Sequence, residues 1–379
     1  MTDNPQTPET TYPETPDVNR GELPDPMTDP VSGKRVTSPG EWPALAQTWR
    51  QMILDMEYGG LPPEPDSVET ETLCHNFIRT LPGKPGNWTY RIHCRGGQRD
   101  FSFCVRILFP QTEQPVPAII DGDGCWWRVY SDDLVQRVTG AGYALVIFNR
   151  TELAEDLGYS GCPDKHQRRG GLYDVYPQAS FGALSAWAWG YHRCVDLLRQ
   201  LPFIDASRIA VTGHSRGGKT ALLAGATDDR IALVNDNASC AGGAPVFRYV
   251  GHGGETLKII NKFPTWFGAG MQPYVERENE LPFDQHCLLA TVAPRPLLMT
   301  YALDDRWSNP EGMVLSVRAA SEVYRLLEVP DHLAFHLRPG AHAHTLDDWN
   351  VLLDFMAWKW QGTPPTVKYN QHPYKHLET

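Results

Sequence analysis

The chain has 379 residues, a formal net charge of −11 and a hydrophobic content of 41%. That hydrophobic content is enough for a large core and excludes disorder of the whole chain. The negative charge argues against nucleic acid and against an anionic membrane surface as partners, because both carry a negative potential. No apolar run approaches the roughly 18 residues of a membrane span. We therefore expect a globular protein that binds neither nucleic acid nor membrane.

Residues 1–40 are rich in proline, threonine and acidic side chains. They have no periodic apolar positions, so they cannot bury enough surface to order themselves, and we predict an irregular N-terminal arm. The same segment lacks the apolar core of a secretory signal. This pattern predicts a cytoplasmic protein, or a secreted one if a leader has been removed.

Hydrophobic periodicity predicts helices and strands that alternate along the chain. In chain order these elements are a helix over Trp42–Tyr58, hairpin strands over Tyr90–Cys94 and Phe101–Phe109, a buried strand over Val116–Ile120, a helix over residues 131–138, a buried strand over Tyr143–Phe148, a helix over Ala183–Leu198, strands over Arg208–Thr212, Pro296–Ala302 and Ala334–Arg338, and a helix from about Asp347. Such alternation predicts one α/β domain, residues 41–379, with a mostly parallel sheet flanked by helices on both faces.

Ser215 lies between one of these strands and a helical run that follows it, in the stretch Val211–Lys219 (VTGHSRGGK). Residues 213–217 match G-x-S-x-G, in which glycines permit a sharp turn that raises the serine hydroxyl above the sheet. A simple helix N-terminus would leave both glycines unexplained. The context therefore predicts that Ser215 is the nucleophile of an α/β-hydrolase fold.

A serine nucleophile needs a base and an orienting acid, which in this fold follow it in the order acid, then histidine. His342 follows a Pro-Gly turn at the end of the last predicted strand and is the expected base. His344 is the alternative candidate for the base. It could instead be a solvent-exposed or helix-capping histidine with no catalytic role. Asp304 and Asp305 both follow the strand before it, and the residues alone do not decide which of the two is the acid.

Cysteine spacing gives no sign of a metal or redox centre. The eight cysteines contain no C-x-x-C pair, and several lie inside apolar runs, which predicts buried, reduced thiols. Other side chains do not form a ligand cluster with the spacing of a metal site. We expect no metal and no organic cofactor.

Several sequence blocks occur in one order around these turns. They are Ala183–Gly190, Thr212–Lys219, Asp229–Ala232, Cys240–Gly243, Gly254–Thr256, Pro264–Phe267, Leu281–His286, Ala293–Pro296, Asp305–Trp307 and Arg338–His342. Through them the region from Ala183 to Trp358 resembles the glucuronoyl esterases, a carbohydrate esterase family with the α/β-hydrolase fold, in its bacterial type. The resemblance implies a serine esterase that cleaves 4-O-methyl-glucuronate esters, as in xylan–lignin linkages.

The resemblance also implies a role for each matching residue. These are Ser215 as nucleophile, His342 as base, Arg216 at the oxyanion, and Lys219, Glu255 and Trp307 at sugar hydroxyls. A guanidinium beside the reacting carbonyl stabilises the charge that develops there. Fungal members carry their acid as a glutamate where this chain has Ala238, so the resemblance favours Asp305, the site used in some bacterial relatives.

Each of the binding residues also has a plainer interpretation. Arg216 could brace the serine turn through a salt bridge, and Lys219 could be a solvent-facing lysine in the first turn of a helix. Glu255 could be a solvated loop carboxylate and Trp307 a core aromatic.

We expect a monomer that binds a small-molecule or oligosaccharide ester. Two other functions compete with a glucuronoyl esterase. An acetyl- or methylesterase acting on another glycan would keep Ser215 and His342 but have little need for Arg216 and Lys219. A catalytically idle hydrolase-fold protein would have no reason to retain serine, aspartate and histidine at the three expected turns.

Overall fold

The computed structural model describes residues 18–157 and 164–377. Its strands are β1 (Val18–Asn19), β2 (Ser67–Phe77), β3 (Gly86–Arg95), β4 (Phe101–Phe109), β5 (Val116–Asp121), β6 (Ala144–Phe148), β7 (Ile204–Thr212), β8 (Leu233–Asn237), β9 (Tyr249–Val250), β10 (Leu297–Ala302) and β11 (Leu333–Arg338). Its helices are α1 (Trp42–Ile53), α2 (Asp132–Gly140), α3 (Gly171–Val175), α4 (Ala183–Leu198), α5 (Arg216–Thr227), α6 (Ile259–Lys262), α7 (Gln285–Ala290), α8 (Pro310–Leu326) and α9 (Leu346–Gln361).

A nine-stranded sheet forms the centre, in the order β11-β10-β8-β7-β5-β6-β4-β3-β2. The strands from β11 to β6 in this order pair in parallel. Strand β4 pairs antiparallel with β6 and carries β3 and β2 as an antiparallel edge. The sheet is therefore mostly parallel, as the sequence predicts.

Successive side chains of β5 show that helices cover both faces of the sheet. Ile120 packs in a cluster with residues of α4, α5 and α8, whereas Ile119 packs in a second cluster with residues of α2 and α9. Both side chains are fully buried. Burial of a side chain of this size stabilises the fold by about 1.5–3 kcal/mol. This three-layer packing confirms the predicted α/β-hydrolase fold.

Each predicted helix and strand is present, with ends that differ by a few residues. The first predicted helix, for example, is α1 followed directly by a π-helical turn at Leu54–Tyr58. Strands β1, β2, β8 and β9 and helices α3, α6, α7 and α8 lie where no element was predicted, and β1 falls within the N-terminal arm. The second half of β8 is Asn235, Asp236 and Asn237, all fully buried. Those polar side chains conceal a buried strand from hydrophobic periodicity, because the pattern looks for apolar residues.

Both ends of the described chain reach Tyr249, in strand β9. Strand β1 pairs antiparallel with β9, with Asn19 opposite Tyr249. From the other end, Nε2 of His376 lies 3.3 Å from the hydroxyl of Tyr249 and 2.8 Å from a carboxylate oxygen of Glu311. These contacts lie on the strand that precedes the segment leading to Glu255.

Membrane-spanning helices are absent from the described part of the chain, since none there is long and apolar enough. The cysteines that the structure describes are free thiols, and Cys94, Cys194, Cys240 and Cys287 are buried. Cys162 lies outside the described residues.

Candidate active site

Ser215 occupies the turn between β7 and α5, with φ 58° and ψ −120°. Residues other than glycine rarely adopt this backbone conformation, which costs about 1–3 kcal/mol and persists only where the surrounding structure fixes it. The Ser215 amide donates to the carbonyl oxygen of Asn237, 2.8 Å away at the end of β8. A Cβ on Gly213 would lie 2.3 Å from the carbonyl oxygen of Gly217, and one on Gly217 would lie 2.3 Å from Oδ1 of Asp123. Only glycines fit at these two positions of the turn.

Asp305 and His342 lie on the loops that follow β10 and β11, two adjacent parallel strands. Oδ2 of Asp305 is 2.6 Å from Nδ1 of His342. The Asp305 side chain is fully buried, whereas that of His342 is 23% exposed. Since a carboxylate only accepts, Nδ1 of the neutral ring is the donor and Nε2 carries the lone pair. An imidazole in this tautomer can accept a proton through Nε2.

The two rival residues make other contacts. Oδ2 of Asp304 accepts a hydrogen bond from the backbone N–H of Gly340, 3.0 Å away. The ring of His344 stacks on Trp349, with the ring centroids 5.0 Å apart. Of the two aspartates, then, Asp305 contacts the imidazole and Asp304 holds the turn that precedes it.

His214 brings the serine turn next to the histidine loop. It directly precedes Ser215, and its ring centroid is 4.5 Å from that of His342. Within residues 18–157 and 164–377, the hydrogen bond of the His342 side chain is the one to Asp305, and none joins it to the Ser215 hydroxyl. Hydrogen bonds of this kind often tighten only in the complex with substrate.

Arg216 forms an ion pair at the start of α5. Its Nη1 donates to Oδ2 of Asp156 at 2.8 Å, and its guanidinium lies over the ring of Trp266, 4.6 Å from the centroid. Nε1 of Trp266 donates to Oδ1 of the same aspartate at 3.1 Å. The side chain of Arg216 is 13% exposed. The guanidinium lies over the Phe263 ring as well, 5.2 Å from its centroid, so a carboxylate and two aromatic faces hold it on the residue that follows Ser215.

Lys219 lies about one helical turn into α5. Two residues from other segments, Glu255 and Trp307, lie next to it. Nζ of Lys219 donates to the carbonyl oxygen of Ser239 and is 3.2 Å from Oε2 of Glu255. The backbone N–H of Glu255 donates to the carbonyl oxygen of Trp307 at 3.0 Å. Both members of the ion pair are nearly buried, with side-chain exposures of 2% and 6%. The structure therefore does not place Lys219 in solvent, and the Trp307 loop adjoins the pair.

Two buried carboxyl groups, those of Glu57 and Asp236, interact electrostatically with Lys219. The sequence did not indicate either of them. Burial raises the pKa of Glu57 to about 8 and that of Asp236 to about 7. Nε2 of Gln285 donates to both oxygens of Glu57, at 2.8 and 3.0 Å. Ser239 donates to Asp236 at 2.6 Å. Charge in this part of the protein therefore depends on protonation near neutral pH.

Sequence reasoning also missed two contacts of Arg216. Asp156 lies in a polar connection after β6, where no local pattern distinguishes it from its neighbours. Trp266 belongs to one of the blocks that carry the family resemblance, but its sequence position does not show what it contacts. Both become visible only when the chain brings them to the serine turn.

This arrangement suits acyl transfer. A strained serine, an imidazole oriented by a buried carboxylate and a nearby guanidinium supply the groups that attack, accept a proton and stabilise an oxyanion. Groups of three or more His, Cys, Asp or Glu side chains that could hold a metal ion do not occur in the residues that the structure describes.

The family model described as glucuronyl esterase, fungi, matches residues 92–328 of this chain. A carbohydrate esterase from an unknown prokaryotic organism is 40% identical over 194 residues, which cover 47% of this chain and 44% of that protein. The chain thus spans less than half the length of this relative. The 4-O-methyl-glucuronoyl methylesterase of Thermothelomyces thermophilus is 33% identical over 371 residues, which cover 93% of this chain and 85% of that one.

A solved structure is similar over almost the whole fold. It is a carbohydrate esterase family 15 glucuronoyl esterase from Caldicellulosiruptor kristjansonii, with a TM-score of 0.76 and 31% sequence identity. The likeness covers 94% of this chain and 95% of that chain. The similarity therefore extends well beyond the blocks between Ala183 and Trp358.

Proposed function

The chain belongs to the glucuronoyl esterase family, and from this premise we propose that it hydrolyses 4-O-methyl-glucuronate esters through an acyl-enzyme on Ser215. The observation that carries the proposal is the hydrogen bond between buried Asp305 and Nδ1 of His342, on a loop that contacts the serine turn. Without an oriented base, a serine hydroxyl is a poor nucleophile at neutral pH. The curated relative from Thermothelomyces thermophilus is named for this ester.

In the first half of the proposed reaction, Ser215 forms an ester with the sugar acid. Nε2 of His342 takes the hydroxyl proton as Oγ attacks the carbonyl carbon of the substrate. The tetrahedral intermediate then collapses, the bond to the alcohol breaks, and the imidazolium gives its proton to the departing alkoxide. Asp305 keeps Nδ1 in place and stabilises the imidazolium.

In the second half, water releases the sugar acid. His342 takes a proton from water as its oxygen attacks the acyl-enzyme carbonyl, and it returns that proton to Ser215 as the ester bond breaks. The products are free enzyme, the alcohol and the uronic acid.

Arg216 is the proposed electrostatic support of both intermediates. Each carries its negative charge on the former carbonyl oxygen, and a charge-assisted donor stabilises it more than the neutral ester. The ion pair with Asp156 and the stacking on Trp266 support this role, because they hold the guanidinium before the substrate arrives. Preorganised donors need no rearrangement as the charge forms.

Lys219, Glu255 and Trp307 are the proposed contacts of sugar hydroxyls. An ammonium has three N–H donors, and two of those on Lys219 are used by Ser239 and Glu255. The third can be donated to a hydroxyl, and Glu255 can accept one. The ion pair supports binding of a hydroxyl-bearing acyl group, since it offers a donor and an acceptor side by side.

The test is hydrolysis of benzyl glucuronate compared with acetylated xylose, with both rates expressed as kcat/KM. The proposal expects a higher value for the uronate ester, and loss of both activities in Ser215→Ala. Ser207→Ala, which removes an exposed hydroxyl bonded to Asp205, is the matched control and should behave as the unsubstituted protein. Faster cleavage of the acetyl ester would instead make this chain an acetylesterase.

A further inference from the structure

Three aromatic contacts form a column that starts at His342 and ends in the core. His342 and His214 have ring centroids 4.5 Å apart, and His214 and His344 have centroids 5.9 Å apart. His344 in turn stacks on Trp349 of α9, at 5.0 Å with an interplanar angle of 17°. The imidazole of the proposed base therefore contacts the His214 ring of the serine turn, with 40° between the two planes, and His214 is connected through His344 to a core helix.

His214, in the middle of this column, is held through both its backbone and its ring. Its backbone N–H donates to Oδ2 of Asp123 at 2.9 Å, and its Nδ1 is 2.6 Å from Oδ1 of Asn237. Nδ2 of Asn237 donates to the carbonyl oxygen and the hydroxyl of Thr300, at 3.0 and 2.9 Å. This amide orientation leaves Oδ1 to accept from His214. The ring is buried, with 4% exposure of the residue.

His342 needs such support because its carboxylate contact constrains only one atom. The hydrogen bond from Nδ1 to Asp305 leaves the ring free to tilt about that bond. The histidine loop itself contains Gly340 at φ 101°, a position that adds no side chain to the packing. A ring placed against the imidazole limits this tilt and thereby fixes the direction of Nε2.

We propose that His214 is a positioning residue, whose ring sets the plane of His342 so that Nε2 faces the Ser215 hydroxyl. The proposal rests on the assignment of His342 as the base. In this role His214, the residue before the nucleophile, supports the base as well as forming part of the serine turn. Because His214 affects only the orientation of the imidazole, it should change the rate of the chemical step and not the binding of the sugar.

Loss of the His214 ring should lower kcat and leave KM nearly unchanged. A misplacement of about 1 Å at a reacting group can lower a rate by about 100-fold. We therefore expect His214→Ala to lower kcat by roughly 10- to 100-fold on both an aryl acetate and benzyl glucuronate. KM should stay within about a factor of two, because the variant leaves Lys219 and Glu255 in place.

Two more variants separate the ring from its hydrogen bond. His214→Phe keeps a ring of similar size but leaves Oδ1 of Asn237 without its donor, so Tm should fall while kcat stays within about threefold. His214→Asn keeps a polar group towards Asn237 but removes the ring, so kcat should fall as in the alanine variant. His75→Ala is the matched control, because it removes a histidine that stacks on Trp88, at 3.7 Å, in the edge hairpin.

The measurement is kcat per folded molecule, with folding checked by circular dichroism and thermal unfolding. Retention of kcat in His214→Asn, or equal losses in the phenylalanine and asparagine variants, would overturn the positioning role. Ser215→Ala and His342→Ala are measured beside them. If those two keep their activity, the proposed function itself fails, and that result is distinct from normal activity in the His214 variants alone.

Discussion

Asp304 and Asp305 are adjacent in the chain, yet they hold the histidine loop in two different ways. Asp305 contacts the imidazole of His342 at 2.6 Å, and Asp304 accepts a hydrogen bond from the backbone of Gly340 at 3.0 Å. Both residues lie beyond the end of β10: Asp304 is in the turn that follows the strand, and Asp305 is the N-cap of the short 3-10 helix Arg306–Ser308. One carboxylate thus contacts the proposed base, and the other contacts the turn that carries it.

Substitution of these two aspartates should separate the two contacts. Asp305→Asn is expected to lower kcat by roughly three to four orders of magnitude, because an amide can stabilise the wrong tautomer of the histidine. Asp304→Asn retains an oxygen that accepts from Gly340 and should change kcat little. Steady-state kinetics on an aryl acetate checks both variants. A large loss in Asp304→Asn with normal activity in Asp305→Asn would move the acid by one residue.

Replacement of the two histidines of this loop tests the choice of base. His342→Ala should remove most turnover, by several orders of magnitude as in related triads. His344→Ala leaves the contact with Asp305 intact and should have a smaller effect, through the ring column alone. The measurement is kcat on benzyl glucuronate at constant pH. Near-normal turnover in His342→Ala would contradict the assignment.

Lys219→Met should distinguish a sugar contact from a structural ion pair. We expect kcat/KM for benzyl glucuronate to fall by an amount equivalent to roughly 1.5–3 kcal/mol, as for a hydrogen bond to a charged group. A simple aryl acetate has no sugar hydroxyls and should lose much less. Lys258→Met, in which an exposed lysine loses its ion pair with Glu276, is the control. Equal losses on both substrates would mean that Lys219 serves the fold.

Glu57 should make stability depend on pH near neutrality. Burial raises its pKa from 4.5 to about 8, so the folded state holds a proton that the unfolded state has already lost. Between these values the free energy of unfolding should fall as pH rises, by about 1.4 kcal/mol per pH unit from this group alone. Asp236 contributes in the same direction up to about pH 7.

Glu57→Gln should remove that slope, because an amide does not titrate. Denaturant unfolding at a series of pH values between 5 and 8 measures it, with the exposed Glu113→Gln as control. An unchanged slope in Glu57→Gln would show that Glu57 is already ionised in the folded protein.

The order of the elements was predictable from sequence because the central strands are apolar and the turns between them are distinctive. Strand β8 was not, since its buried Asn235 and Asn237 look like loop residues until their partners are known. Asn237 is satisfied by His214, in the turn after β7, and by Thr300 of β10. Hydrophobic periodicity does not register such pairing, because it treats each polar side chain as exposed.

The candidate site divides in the same way. Ser215 and His342 lie in turns that the local sequence predicts, because each turn follows an apolar strand and contains glycine. The partner of Arg216 does not, since Asp156 is 60 residues away in the chain and lies in an ordinary polar connection. The choice between Asp304 and Asp305 depended on side-chain direction, which composition and spacing do not record.

The meeting of both chain ends at Tyr249 has a consequence for biosynthesis. Asn19 is translated before strand β9, which can pair with it as soon as both have emerged from the ribosome. His376 follows Tyr249 by 127 residues, so the second contact can form only after those residues have been translated. The backbone of Tyr249 therefore acquires its partner before its hydroxyl does. A nascent chain arrested between the two steps would carry the serine turn and the pairing of β1 with β9, and would lack the contact from His376.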